Sequence, residues 1–223
     1  MNLPRTPEPT IMSAAEEAAE YLGMDHSGVN ALFVDELLVG PVGPRVIDLG
    51  CGPGLIPIEL CGRDPSIELM AVDGAVEMLE LAKVEVDMAG LLDRITLHHV
   101  DANGMDDFED GIADTVISNS LIHHLDEPAL GLATAARLVK PGGRLFIRDL
   151  YRPDSEETVE KLVQQYAGQE QDMAKQLFRQ SLHASLTLAE VRELAGGLGI
   201  GSEQIQMSSD RHWTIDWTKP VEV

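Results

Sequence analysis

Hydrophobic residues fall along this chain in short continuous runs, each followed by a longer amphipathic stretch. Val46-Ile47-Asp48-Leu49 is such a run, and it stops at three glycines spaced two apart, Gly50-Cys51-Gly52-Pro53-Gly54. Glycine admits positive φ and lets a ligand approach the main chain, so the run predicts a buried strand entering a ligand-accessible turn. Leu55 to Cys61 then predicts a helix, with Pro57 tolerated in its first turn. The alternation continues with strands at Ile67–Asp73, Ile95–Val100, Thr115–Ser118 and Arg144–Ile147. Helices at Ala75–Ala89, with Met78, Leu79 and Ala82 inward, and at Ala129–Leu138 lie between them. Short strands separated by helices predict an α/β, doubly wound, mostly parallel sheet of seven strands.

The two ends of the chain break this rhythm. Ser13-Ala14-Ala15-Glu16 has the capping-box form and opens a helix to about Leu22; Val29–Leu38 follows, with Val29, Leu32, Phe33, Glu36 and Leu37 on or beside one stripe. After Asp154 two helices come in succession, Ser155–Tyr166 and Glu170–Leu182, with Asp154 and Glu157 as a capping box. Thr187-Leu188-Ala189-Glu190 starts another helix, and Gln204–Ser208 with His212–Trp217 predict a closing antiparallel pair. The expected organisation is one domain: a helical flap over 1–44, a ligand-binding core over 45–150, a helical cap over 151–186, and a closing helix and hairpin over 187–223.

Charge narrows the partners. Among 223 residues, 16 basic against 38 acidic give a net charge of −22, which repels nucleic acid and anionic membrane surfaces. The two cysteines, Cys51 and Cys61, form no disulfide framework, and no apolar run approaches membrane-spanning length. The proline-rich start lacks the pattern of a signal peptide. A cytoplasmic protein, monomer or homodimer, is expected.

In open α/β sheets ligands gather where parallel strands end, and here those ends are polar: Asp48, Asp73, Asp101, Ser118 to Ser120, and Arg148-Asp149. Asp73 follows Gly54 by 19 residues, the separation at which an acid reaches a ribose held over the first turn. Dinucleotide binding, and with it NAD-dependent reduction, calls for a glycine at position 55, which is Leu55.

Val46–Gly54, Asp73, Val100-Asp101-Ala102, Ser118-Asn119-Ser120-Leu121-Ile122-His123-His124 and Leu138-Val139-Lys140-Pro141-Gly142-Gly143 together resemble a class I S-adenosylmethionine-dependent methyltransferase, over about residues 45–150. The N-terminal helices and Arg148-Asp149-Leu150 followed by Tyr151-Arg152-Pro153 resemble, more loosely, a subgroup of small bacterial methyltransferases of unassigned substrate. The resemblance implies the Rossmann-like methyltransferase fold and S-adenosyl-L-methionine as cofactor. It implies that Gly50, Cys51, Gly52 and Gly54 cradle the methionine part with Asp48 near its ammonium, that Asp73 holds the ribose hydroxyls, and that Asp101 and Ala102 meet the adenine. Gly74 and Met78 would pack near the adenosine, and Ser118, Asn119 and Ser120 would face the methionine side.

Methyl transfer from a sulfonium needs chiefly an aligned nucleophile, with a base where the acceptor is a hydroxyl or phenol. His123, Asp149 and Tyr151 are the candidates for catalysis. His124, Arg148, Arg152, His183, Arg211 and His212 are candidates for gripping a small-molecule acceptor, although Arg148-Asp149 reads equally as an internal ion pair. Arg144, Arg148 and Arg152 form a series that suits an anionic molecule or pairing with nearby acids. Asp149, His123 and His183 could converge on a metal, but no ligand pair has diagnostic spacing and none is expected. The alternative function is a non-catalytic S-adenosylmethionine-binding or sensing module acting with a protein partner.

Overall fold

A computed structural model of the protein describes residues 3–8 and 27–221. Its strands are β1 (Arg45–Leu49), β2 (Glu68–Asp73), β3 (Ile95–His99), β4 (Ala113–Asn119), β5 (Val139–Leu150), β6 (Ile205–Met207) and β7 (His212–Thr218). They form one sheet in the order β3-β2-β1-β4-β5-β7-β6. β1 through β5 pair in parallel, and β7 runs antiparallel to both β5 and β6. The expected doubly wound sheet with its closing hairpin is therefore what forms. The expected helix from Ser13 to Leu22 lies outside the described residues.

Helices α1 (Ser27–Leu37), α2 (Leu55–Arg63), α3 (Val76–Met88), α4 (Pro128–Leu138), α5 (Glu156–Ala167), α6 (Asp172–Ala184) and α7 (Leu188–Gly196) surround the sheet. Successive strand residues face opposite sides, so Val46, Ile117 and Phe146 join one core with α1, α2 and α3, while Ile47, Val116, Leu145 and Ile147 join the other with α4 and α7. β1 and β4 lie mid-sheet and are buried at nearly every position, which explains their continuous apolar runs. No helix among the described residues is long and apolar enough to cross a membrane.

Three expectations are corrected. The inner stripe of α1 is Phe33, Val34 and Leu37, whereas Val29 and Leu32 are exposed. Phe33 meets Phe146 edge-on with centroids 5.2 Å apart, a contact worth about 1 kcal/mol beyond its buried area. The cap of α5 is Ser155, whose side chain accepts from the Thr158 N–H, rather than Asp154; the box at Thr187 and Glu190 forms as expected. β5 is longer than Arg144–Ile147, because Pro141-Gly142-Gly143 is an irregular beginning of the strand, where its register with β4 shifts.

The first two helices of the cap, α5 and α6, enclose their own cluster of Leu150, Val159, Leu162, Val163 and Leu182, with Leu3 and Phe178 against it. At the hairpin, the buried His212 ring is pushed down to about 4 by desolvation and by Arg211 and Arg148. An unfolded histidine titrates near 6.5, so between these values the unfolded chain binds a proton that the folded one refuses. Stability from this group is present above about pH 6.5 and is lost as pH falls toward about 4, by on the order of 2–3 kcal/mol. Thermal melts across this range should fall more steeply for the native protein than for His212→Asn.

Candidate functional site

The chain runs outward from β1 to β2 and β3 and then returns to place β4 on the other side of β1. This reversal opens a crevice at the carboxyl ends of β1 and β4, where the glycine turn lies. Gly50, Gly52 and Gly54 have φ of 72°, 52° and 78°, all in the left-handed region. A Cβ at Gly50 would stand 2.7 Å from the Leu121 side chain, so this glycine serves packing; one at Gly52 would meet nothing within 4 Å and projects into open space. The N–H groups of Gly50 and Cys51 donate to the Val72 carbonyl, and both Asp73 oxygens accept backbone N–H groups at 2.8 Å, from Gly52 and Ala75. The turn is thus held by the end of β2, and α2 begins immediately after it.

Asp48, Asn119, Asn30, Leu55, Ile56 and the turn line a cavity of about 40 Å³. Asp48 is 2% exposed, and its carboxyl makes no hydrogen bond or ion pair with another described residue. Burial, with Asp73 nearby, holds its carboxyl well above the usual range. Asn119 Oδ1 is likewise buried without a partner. A buried carboxyl and a buried amide oxygen, neither with a partner among the described residues, face one cleft and suit a cationic donor such as an ammonium. Ser118 is different: its hydroxyl donates to the Leu49 carbonyl at 2.8 Å, which joins β4 to β1. Ser120 takes the left-handed φ of 58°, the single non-glycine to do so among the described residues.

Along the same edge, Asp101 accepts the Asn103 N–H and remains exposed, with Gly74 beside it and Ala102 and Met78 buried behind. Cys51 is buried next to Asp48 and Asp73; desolvation and these charges push its thiol up, leaving it inert as a nucleophile at neutral pH.

The opposite side of the crevice is built by the turn after β4. His123 Nδ1 lies 2.5 Å from Asp149 Oδ1, and both residues are buried. Burial opposes each charge, but each offsets it for the other, so His123 is held above and Asp149 below its ordinary value. His124 Nδ1 pairs with Glu8 at 2.6 Å, and Tyr151 follows Asp149 at the end of β5, bridged to Leu186. His183 of α6 lines a cavity of about 320 Å³ with Thr6, Pro7, Glu8 and Gln180.

The remaining candidates do not converge there. Arg148 faces α1, where it pairs with Glu36, bonds Thr214 and lies over the Phe33 ring, while its neighbour Asp149 faces the other layer and pairs with His123, so the alternative of an Arg148-Asp149 ion pair is not what forms. Arg144 holds Asp216 and the Leu37 carbonyl, and Arg152 holds Glu190 and the Ser185 carbonyl. The three arginines therefore form no common anionic grip. Arg211 stacks over Tyr166, and His212 is engaged by Ser209.

Two residues of this region have no counterpart in the sequence reading. Arg5 donates to the carbonyls of Ala184, His123 and Leu125, and Glu8 meets His124. Their signal was an arginine and a glutamate among prolines at positions 4, 7 and 9, a spacing that favours an extended strap.

Residues 47–147 match the family model described as a methyltransferase domain. Curated relatives include an uncharacterised protein of Synechococcus sp., 33% identical over 47% of this chain and 25% of its own length. Another is a ubiquinone biosynthesis O-methyltransferase of Aromatoleum aromaticum, 27% identical over 56% of this chain and 52% of that protein. The matched region thus spans a quarter to about half of these relatives. A solved structure of a candidate S-adenosyl-L-methionine-dependent methyltransferase from Methanococcus maripaludis superposes with a TM-score of 0.75 at 20% identity, covering 98% of this chain and 99% of that one, which shows the shared fold.

Asp48 is a liability for the ligand-free fold. Asp48→Asn removes a buried carboxyl with no cationic partner among the described residues, and should raise the thermal midpoint of the ligand-free protein by about 2–8 °C, equivalent to about 1–2 kcal/mol. Differential scanning calorimetry reads this directly.

Proposed function

We propose that this protein transfers a methyl group from S-adenosyl-L-methionine to a small-molecule acceptor, a reading supported by the match of residues 47–147 to a methyltransferase domain and by the fold shared with a candidate S-adenosyl-L-methionine-dependent methyltransferase. The observation that carries the reading is Asn119 Oδ1, buried without a hydrogen-bond partner among the described residues, beside the buried Asp48 carboxyl in the cleft at the glycine turn. An α-ammonium group supplies the charge and donors they lack. Gly52 supports the same assignment, since the open space before its Cα lets a ligand rest against the backbone.

In this reading Gly50, Cys51, Gly52 and Gly54 receive the methionine end, Asp73 the ribose hydroxyls, and Asp101 with Ala102, Gly74 and Met78 surround the adenine. When bound, the cofactor supplies a methyl group already activated by the sulfonium. The chain's task is to hold an acceptor in line with it and to exclude water, which is worth several kcal/mol of barrier. A protic acceptor would also need a group of the chain to take its proton. In this reading His123, Asp149 and Tyr151 serve the acceptor: Asp149 engages His123 Nδ1, which leaves Nε2 as the nitrogen that could take a proton.

A small acceptor is favoured over a polyanion by the charge of −22. The curated relatives named for ubiquinone biosynthesis support an acceptor of that class. Isothermal calorimetry should show binding of both S-adenosylmethionine and its demethylated product. Gly52→Val should weaken both by at least about tenfold, or about 1.4 kcal/mol. The same substitution should lower fold stability by only about 1–2 kcal/mol, the usual penalty for a side chain at left-handed φ. Absence of binding by the intact protein, or undiminished binding by the variant, would overturn the cofactor assignment. Turnover across phenol, amine, thiol and carboxylate acceptors then identifies the receiving atom.

A further inference from the structure

The two histidines after β4 are arranged for more than proton transfer. Their ring centroids are 4.0 Å apart, and each ring has its own carboxylate, Asp149 for His123 and Glu8 for His124. Asp149 is fully buried and also accepts the backbone N–H groups of His123 and Leu150, so it holds the His123 ring rigidly. With Nδ1 fixed in this way, Nε2 is the atom His123 has to offer. One donor atom from each of Glu8, His123 and His124 lies within 4.8 Å of the others. Glu8 Oε1 is buried without a hydrogen-bond partner among the described residues, and the nearby Ser181 hydroxyl donates to the Leu177 carbonyl.

We propose that Glu8, His123 and His124 form a binding site for a divalent transition-metal ion, with Asp149 as the carboxylate that orients His123 behind it. The set differs from Asp149, His123 and His183, which the sequence had offered: Asp149 stands behind the site, and the carboxylate that enters it comes from the N-terminal segment. Two imidazoles and one carboxylate suit zinc, iron(II) or cobalt(II), whereas magnesium and calcium favour all-oxygen sites. A carboxylate bonded to the far nitrogen of a ligating histidine is the usual support for such a site. Ligands of tetrahedral zinc stand roughly 3.3 Å apart. Glu8 and His124 are 2.6 Å apart, so an ion enters by parting them by roughly 0.7 Å, a movement the extended segment of residues 3–8 can supply.

Three protein ligands leave a position open, and the cavity of about 320 Å³ lined by Thr6, Pro7, Glu8, Gln180 and His183 adjoins it at Glu8. The site stands on these side chains alone; its use, to hold an acceptor atom and ease its deprotonation, rests on the methyl transfer proposed above.

The test is calorimetry of chelator-treated full-length protein with Zn²⁺ and with Co²⁺, Mg²⁺ serving as the hard-cation control, and with the visible absorption of bound Co²⁺ as a report of its ligands. One equivalent of Zn²⁺ and of Co²⁺ should bind, Mg²⁺ should not compete, and the Co²⁺ spectrum should show low-coordinate nitrogen and oxygen ligation. Glu8→Gln and His124→Asn should each weaken binding at least tenfold, and Asp149→Asn by about 10–100-fold. Glu8→Gln changes an extended segment outside the sheet, so its thermal melt should match that of the native protein. No uptake of Zn²⁺ or Co²⁺ beyond the Mg²⁺ control, or uptake unchanged in both Glu8→Gln and His124→Asn, would overturn the proposal. Since no methyl donor is present, these outcomes are independent of whether S-adenosylmethionine binds.

Discussion

The Asp73 carboxylate holds the ligand edge in shape. One oxygen accepts the N–H of Gly52 in the middle of the glycine turn, and the other accepts the N–H of Ala75, the residue that precedes α3. Without it the Gly52 amide, already committed to a left-handed φ, would lose its protein partner. The neighbouring Val72 carbonyl takes the amides of Gly50 and Cys51, so three successive N–H groups of the turn are positioned by the end of β2. A carboxylate offers about four acceptor positions. Asp73 therefore shapes the turn with two and keeps two, so that the proposed hold on hydroxyl groups would not cost the turn its scaffold.

The parity of β5 divides the molecule into a structural and a chemical face. Arg144, Phe146 and Arg148 point to the layer of α1, where the two guanidiniums lie over the Phe146 ring and pair with Asp216 and Glu36. Leu145, Ile147 and Asp149 point the other way, and Asp149 alone reaches the histidine turn. Two charges adjacent in sequence are thus assigned to different tasks by the pleat. Arg148 anchors α1, the helix whose Asn30 lines the glycine cleft, so it acts on the site only through packing.

Sequence patterns captured the sheet because mid-sheet strands are buried on both faces and read as unbroken apolar runs. They also placed Asp48, Asp73, Asp101 and Asn119 along the carboxyl edge of the sheet, because a parallel sheet puts every such strand end on one side. What they could not supply was direction and distance. Ser118 and Asn119 are neighbours, yet one hydroxyl ties β4 to β1 while the other side chain lines the cleft. The stripe of α1 was misjudged by one position for the same reason: Val29 and Leu32 are as hydrophobic as Val34, and only the tertiary contact with Phe146 and Ile117 decides which are buried. Glu8 and His124 are separated by more than half the chain, and no periodicity links an extended proline-rich strap to a turn in the core.

That strap explains how the two halves of the crevice differ. The half beside the glycine turn is made from strand ends, whose positions the sheet dictates. The other half joins three pieces that the sheet does not order: residues 3–8, the turn at His123-His124, and α6. Arg5 fastens all three, through the carbonyls of His123 and Leu125 on the turn and of Ala184 at the end of α6, and the Thr6 N–H adds a bond to His183. Hydrogen bonds donated by a charged group to buried carbonyls are each worth about 1.5–3 kcal/mol, enough to order an extended segment that has no strand partner of its own. A side built in this way can change its lining residues without disturbing the sheet. The glycine turn, bound into β2 through Asp73, has no such freedom, so variation in what the crevice receives must arise from the strap, the turn and the cap.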